Sequence, residues 1–210
     1  EENMATDSYN EENIVQVPSI NDLELLGYIH LDGRKIITDI DSGDRKTDRD
    51  VILNNILRES VKNINPWISE DNLDLVIRNV TNIQEVTLVE ANESFWKMLV
   101  RHISVDQDLG SGRKGQTVKL IDFDSAGAKE DKNTYHVVDE LTIRGEGSRQ
   151  IRPDIILYVN GIPLVVIECK SPTISDPIDE AIEQLRYYSN RRNGKEPEGA
   201  EKLFHYNALI

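Results

Sequence analysis

The chain has 210 residues, of which 38% are hydrophobic and 30% charged, so it can bury the core of one globular domain, with or without an insertion. Its formal net charge of −14 argues against a freestanding, high-affinity DNA-binding protein, because Lys and Arg supply most of the non-specific attraction to phosphates. No apolar run reaches the roughly 20 residues of a membrane span, and the start lacks the features of a signal peptide, so we expect a cytoplasmic protein without membrane segments.

The first predicted element is a helix within residues 6–27, preceded by a short extended entry. Apolar residues recur there at helical spacing, and a glycine follows them: Ile14, Val17, Ile20, Leu23, Leu26 and Gly27. Pro18 lies inside this run, so it either kinks the helix or marks its true first turn. Residues 28–42 alternate loosely and predict a short strand or hairpin.

Three further helices are predicted before residue 105, and together they form a helix-rich insertion over about 40–105. Thr47 or Asp48 could cap the first, which ends at residues 65–66 because a proline follows. Ser69 begins the second. The third covers 92–103 with one stripe of Phe95, Met98, Leu99 and His102, which indicates core packing rather than a binding site. We assign no chemistry to these helices.

Residues 110–117 match the phosphate-loop pattern G-x-x-x-x-G-x-T only in part. Gln116 stands where the phosphate-binding lysine should be, and no clean apolar strand precedes the loop, so we expect no nucleotide site there. A flexible loop in which Arg113 and Lys114 contact DNA phosphates is the better interpretation. Residues 117–123 and 134–143 then predict two strands.

Residues 152–170 predict a buried β-hairpin, because two apolar, β-branched runs flank Asn160-Gly161. Its outer ends carry Asp154, Glu168 and Lys170. Side chains alternate along a strand, so Glu168 and Lys170 share a face and Cys169 points to the other one. A loop centred on Gly161 sets Asp154 opposite Glu168. A strict two-residue turn shifts the pairing by one residue, unless a bulge restores it. We favour the register that pairs the two acids.

Two carboxylates and a lysine at the ends of buried strands are costly unless they are paired or hold a metal ion. Oxygen ligands suit a hard cation such as Mg²⁺, and a nearby ammonium group can orient or deprotonate a water. One cysteine and four scattered histidines give no zinc spacing. The alternative is an ordinary surface salt bridge between Lys170 and Asp154 or Glu168.

The segment Pro153-Asp154 followed by Glu168-Cys169-Lys170 resembles the PD-(D/E)xK nucleases. The sequence of residues 152–172 is similar to that of the nuclease domain at the N-terminus of the restriction (motor) subunit of type I restriction-modification enzymes. That family usually has an apolar residue at the place of Cys169. Gln184 and Tyr188 fit its Q-x-x-x-Y motif, and residues 9–20 look like its opening helix, with Glu11 at an acidic position. The resemblance is loose between about 39 and 139.

A helix is predicted after residue 176, with Asp176 as N-cap and Pro177 in the first position. We expect its buried stripe to contain Ile178, Ala181, Ile182 and Leu185. Gln184 and Tyr188 lie four apart and share a face. Core packing explains the tyrosine adequately but not the glutamine. The candidate phosphate contacts are Arg186, Arg191, Arg192 and Lys195, although the helix dipole also favours basic residues at this end.

The resemblance implies an α/β fold with a restriction-endonuclease-like mixed β-sheet flanked by helices, in one domain over residues 1–210. It implies Mg²⁺ held by Asp154, Glu168 and the Cys169 carbonyl, with Lys170 acting on the attacking water. For Glu11 two readings stay open, a further acid beside the metal or a solvated charge.

By the same resemblance, helicase domains that use ATP follow residue 210. Double-stranded DNA, a methyltransferase subunit and a specificity subunit are the expected partners. The alternatives are a catalytically silent interaction module and a structure-specific repair or resolvase-type nuclease.

Overall fold

The computed structural model describes residues 11–36, 43–110, 112, 114–145, 147, 149–192 and 197–208. The α-helices in this part of the chain are α1 (Val17–Leu25), α2 (Asn54–Ile64), α3 (Glu70–Thr81), α4 (Leu88–Arg101) and α5 (Pro177–Tyr188). The strands are β1 (Ile29–Asp32), β2 (Ile103–Val105), β3 (Gln116–Val118), β4 (Tyr135–Asp139), β5 (Ile143–Arg144), β6 (Gln150–Ile151), β7 (Ile155–Val159) and β8 (Ile162–Ile167). Across the described residues, no helix combines the length and apolarity that crossing a bilayer requires.

A four-stranded sheet in the order β1-β4-β7-β8 organises the fold. Strand β1 runs parallel to β4, and the other neighbouring pairs are antiparallel. Two short ribbons, β2–β3 and β5–β6, lie outside this sheet. The prediction of an α/β fold with a mixed sheet flanked by helices is confirmed. The extent of the domain, 1–210 with an insertion over about 40–105, stays a prediction.

Both faces of the sheet are covered, which is why β7 is apolar at every position. Alternate residues of β7 enter two separate cores. Ile156 and Tyr158 belong to a large core with residues of α2, α3 and α4, whereas Ile155 and Leu157 join a smaller core with Ile20 of α1. Cys169 is buried in the smaller core, so its side chain points away from the large-core side as predicted.

Local signals placed some helix starts correctly. A π-helical turn, Glu12–Gln16, leads into α1, and Pro18 stands in the first turn of α1 rather than at a kink. Ser69 caps α3, with its Oγ accepting a hydrogen bond from Asn72 N at 3.4 Å. These helices therefore begin where their own side chains satisfy or remove free N–H groups.

Two predicted helix starts were wrong. Helix α2 begins at Asn54 and not after Thr47 or Asp48, because the buried residue Leu53 is extended and its N donates to Gly161 O at 2.9 Å. Helix α4 begins at Leu88, four residues before the predicted start. Thr87 forms a capping box there with a glutamate three residues later.

The predicted buried stripe of α5 was wrong at its two isoleucines, whereas Leu185 is half-buried against the large core. Ile178 is 73% exposed and Ile182 is 41% exposed, while Tyr188 is the residue of this helix that is buried. Asp176 lies at the N-cap position and Pro177 in the first turn, but the Asp176 side chain makes no capping hydrogen bond. Helix α5 therefore rests on the domain through its C-terminal end.

Candidate active site

The turn between β7 and β8 is a tight two-residue turn. Asn160 and Gly161 have φ values of 53° and 78°, the left-handed conformations that such a turn needs at both positions. The Asn160 side chain donates to Leu120 O at 2.9 Å and accepts from Thr134 N at 2.8 Å. A Cβ at Gly161 would overlap the Leu53 carbonyl oxygen. Backbone groups of Leu53, Leu120 and Thr134 therefore hold the turn in place.

A bulge in the hairpin restores the register that brings the acids together. Next to the turn, Tyr158 pairs with Pro163; beyond an irregularity, Ile155 pairs with Ile167. One extra residue of β8 is inserted between these pairs. The register beyond it continues to Asp154 opposite Glu168. The favoured register is confirmed, and it is reached through the tight turn and a bulge.

Asp154 is held in place mainly by backbone groups. Its Oδ2 accepts a hydrogen bond from Cys169 N at 2.7 Å. Its own carbonyl accepts from Gln16 Nε2 at 3.0 Å and from Glu140 N at 3.2 Å. Burial raises the pKa of the Asp154 carboxyl above its ordinary value. One oxygen of this carboxyl is therefore fixed by the Cys169 amide, and the carboxyl also contacts the Glu168 side chain.

Glu168 and Lys170 form an ion pair that leaves one carboxylate oxygen unsatisfied. Lys170 Nζ donates to Glu168 Oε1 and to Cys169 O, each at 2.8 Å. The Glu168 side chain is 1% exposed, and among the described residues no donor reaches its buried Oε2.

The titration of this pair follows from its burial. Burial, with a smaller contribution from the Asp154 charge, raises the pKa of Glu168 to about 7. Burial opposes the charged form of Lys170, but the hydrogen bond and charge of Glu168 raise the Lys170 pKa overall. Two carboxyl groups therefore interact closely, and the bare Oε2 favours either a proton or a cation.

The donor atoms fit a hard cation with few protein ligands. Within the described ranges, no three His, Cys, Asp or Glu side chains are grouped to hold a metal ion. Two carboxylates and a backbone carbonyl with water would satisfy Mg²⁺, which retains several waters in proteins. The Cys169 carbonyl accepts one hydrogen bond from Lys170, and its second lone pair can still bind a cation. Burial raises the pKa of the Cys169 thiol to about 12, which removes its sulfur as a ligand.

Glu11 is tied to the site by a hydrogen bond across 160 residues of sequence. Its Oε2 accepts from Ser171 N at 2.7 Å. Its negative charge acts on both Asp154 and Lys170. Glu11 is therefore not a freely solvated charge. Its role as a further acid beside a metal stays a prediction.

Gln184 and Tyr188 form one hydrogen-bonded unit on α5. Gln184 Nε2 donates to the Tyr188 hydroxyl at 2.6 Å, and that hydroxyl donates to Arg152 O at 3.2 Å. Burial raises the pKa of Tyr188, and the charges of Glu168 and Asp154 raise it further. The pair thus connects α5 to the backbone two residues before Asp154.

The predicted DNA-contact residues belong to two separate segments of the chain. Arg186 pairs with Glu183 at 2.6 Å, and the Arg192 guanidinium lies 5.3 Å from the centre of the Tyr187 ring. Arg191 is exposed next to them. Lys114 is exposed in the segment between β2 and β3, whereas Arg113 and Lys195 lie outside the described residues.

Sequence reasoning missed two residues that contact the site. Gln16 is a buried polar residue whose amide holds the Asp154 carbonyl, and nothing in one sequence distinguishes it from a surface glutamine. Arg152 lines a groove beside α5 together with Tyr188 and Arg192. The signal in the sequence that could have identified Arg152 is its position two residues before Asp154.

Comparison with known proteins gives the family. Residues 8–210 match the family model described as Type I restriction enzyme R protein N terminus. The chain is 31% identical to the putative type I restriction enzyme MjaIXP endonuclease subunit of Methanocaldococcus jannaschii, over 82% of this chain and 16% of that protein. It is 30% identical to the type I restriction enzyme HindI endonuclease subunit of Haemophilus influenzae, over 95% of this chain and 18% of that protein.

The chain thus spans less than a fifth of the length of these relatives. The family match covers nearly all of it, including the hairpin with Asp154, Glu168 and Lys170. The chain belongs to the family of type I restriction enzyme R protein N-terminal regions.

Proposed function

We propose that the chain is a Mg²⁺-dependent DNA endonuclease domain of the PD-(D/E)xK type. The observation that carries this proposal is the buried Glu168 Oε2, which no donor among the described residues satisfies, beside a second carboxyl group. A salt bridge built only for stability would satisfy both oxygens of a buried carboxylate. An oxygen left bare next to another acid is the arrangement that a cation would complete.

The roles follow from the positions of the side chains. Asp154 and Glu168 would hold the cation, and the Cys169 carbonyl would join them through its second lone pair. Bound Mg²⁺ would supply positive charge for the phosphate oxygens and lower the pKa of a water. Lys170 is positively charged and half-buried beside both acids, so its ammonium group can align the attacking water and stabilise the charge that grows on the phosphate.

The activity of a whole enzyme is part of the same proposal. The relatives are named endonuclease subunits of type I restriction enzymes and are about five times as long as this chain. We infer that helicase domains driven by ATP deliver duplex DNA to this site, with methyltransferase and specificity subunits as partners in the cytoplasm. The net charge of −14 supports the inference that other domains deliver the DNA, because this chain by itself attracts DNA only weakly.

The test is the loss of cleavage in a full-length subunit assembled with its partners. Glu168→Ala should abolish Mg²⁺-dependent cleavage while ATP hydrolysis stays close to that of the parent and circular dichroism verifies that the subunit is folded. Glu59→Ala removes an exposed carboxylate of α2 and serves as the control, with cleavage unchanged. Cleavage that persists in the Glu168→Ala assembly would instead support a silent interaction module.

A further inference from the structure

A groove of about 580 Å³ lies beside the acids, between the segment before β7 and helix α5. Its lining includes Arg152 on one side and Glu180, Tyr187 and Arg192 on the other. The Tyr188 hydroxyl bonds to the Arg152 carbonyl, so one wall of the groove is connected to the backbone that leads into Asp154. A ligand in this groove would therefore be a neighbour of anything held by the two acids.

Arg152 is placed to bind a phosphate next to the one attacked. It precedes Asp154 by two residues, so the two Cα atoms are at most about 7 Å apart. Successive phosphates of one DNA strand follow each other at about 3.4 Å of axial rise, within reach of a long side chain from that position. The Arg152 side chain is 59% exposed, and its ion pair with Glu140 is long at 3.9 Å. Most of its hydrogen-bonding capacity is thus available to a ligand.

Arg192 presents a flat cation to the same groove. Its guanidinium lies over Tyr187 at 5.3 Å from the ring centre, and its Nε donates to Glu183 O at 3.1 Å. These two contacts hold the guanidinium plane in one orientation, while 43% of the side chain stays exposed. Unstacked bases bind well to such fixed guanidinium planes.

The charges of the groove limit the length of what it can hold. Glu180 and Glu183 lie on its α5 side. Glu183 is balanced by Arg186 at 2.6 Å and by Arg192 at 3.8 Å. A long polyanion would meet these carboxylates, whereas a single nucleotide can lie between the two arginines.

We propose that this groove holds the nucleotide next to the scissile phosphodiester, with Arg152 on its phosphate and its base stacked on Arg192. The ligand class is an unstacked nucleotide of a DNA strand. This inference rests on the proposed nuclease function and adds to it a subsite that positions the strand.

The two arginines should respond in opposite ways to replacement by lysine, because a phosphate contact needs charge and a stacking contact needs a plane. In the full-length assembly, Arg152→Gln should slow cleavage about 10- to 100-fold, and Arg152→Lys should recover most of the rate. Arg192→Lys should be as slow as Arg192→Ala. Arg149→Gln is the matched control, since Arg149 is an exposed arginine on the same segment, paired with Glu198 and outside the groove lining.

Several outcomes would overturn the subsite. These are Arg152→Gln cleaving within about twofold of the parent, Arg152→Lys as slow as Arg152→Gln, or Arg192→Lys as fast as the parent. Melting curves and ATP hydrolysis verify that each variant is folded. If a neutral variant is not folded, the lysine variants still test the proposal. Asp154→Ala separates the two proposals: cleavage that survives it refutes the nuclease site, whereas cleavage lost there but unaffected at Arg152 and Arg192 refutes the groove alone.

Discussion

Replacing Glu168 with glutamine should change the way in which stability depends on pH in the metal-free protein. Burial raises the pKa of Glu168 from 4.5 to about 7 in the folded chain. Between these two values the folded state keeps a proton that the unfolded state has released. The free energy of unfolding therefore falls as pH rises through this window, and the loss is complete above about pH 7. Glutamine mimics the protonated form and cannot titrate.

The size of the effect follows from the same shift. A difference of about 2.5 pKa units at about 1.4 kcal/mol per unit amounts to roughly 3 kcal/mol. Because the side chain is 1% exposed, little of this is lost to solvent screening. The unfolding free energy of Glu168→Gln minus that of the parent should thus increase by roughly 3 kcal/mol between pH 4 and pH 8. Effects of the substitution that do not depend on pH cancel in this comparison.

Urea denaturation of both proteins across this pH range, with a chelator present, measures the difference. Glu59→Gln, at an exposed position of α2, should follow the parent at every pH. Mg²⁺ added at pH 8 should then stabilise the parent and not Glu168→Gln, because the cation replaces the proton at Glu168 Oε2. A difference between parent and variant that stays constant with pH would refute the assignment of Glu168 as a buried acid with a raised pKa.

Further substitutions test the remaining contacts. Tyr188→Ala should reduce cleavage less completely than Lys170→Ala, because Tyr188 contacts the Arg152 carbonyl and not the ion pair. Tyr188→Phe separates the role of the hydroxyl from that of ring packing. A large fall in the melting temperature of Tyr188→Phe would favour a purely structural role. Asn160→Ala should lower the free energy of unfolding by roughly 3 to 5 kcal/mol in urea titrations, because it leaves buried backbone partners unpaired at a positive φ, while exposed Asn63→Ala should change it little. The isolated chain should show no duplex binding by fluorescence anisotropy at physiological salt, since few phosphates can be neutralised at once, and submicromolar affinity would contradict this.

Local sequence determined the elements whose signals lie within a few residues of one another. The apolar runs around Asn160-Gly161 predicted the hairpin, and their polar ends predicted which side chains would meet. Ser69 and Pro177 marked the starts of their helices correctly, because capping depends on the first turn alone.

Tertiary packing decided which apolar residues are buried. The stripe of Ile178 and Ile182 has helical spacing but stays exposed, because α5 rests on the domain through its end near Tyr188. Residues 51–53 are apolar and were predicted to be helical, yet they precede the helix because Leu53 is extended and bonds to the hairpin turn. The periodicity of apolar residues indicates which side chains can be buried. Whether they are buried depends on the presence of another surface to pack against.

The sequence by itself therefore determined which acids and which lysine stand at the ends of the hairpin, because strand alternation is a local property, whereas their pairing across the hairpin depended on a bulge. Only the tertiary structure decided their chemical state. Gln16 holds Asp154 across 138 residues and Glu11 bonds to Ser171 across 160, and such contacts leave no periodic trace in a single chain. The burial that raises the pKa of Glu168 and leaves its Oε2 bare arises from the packing of distant elements around one side chain.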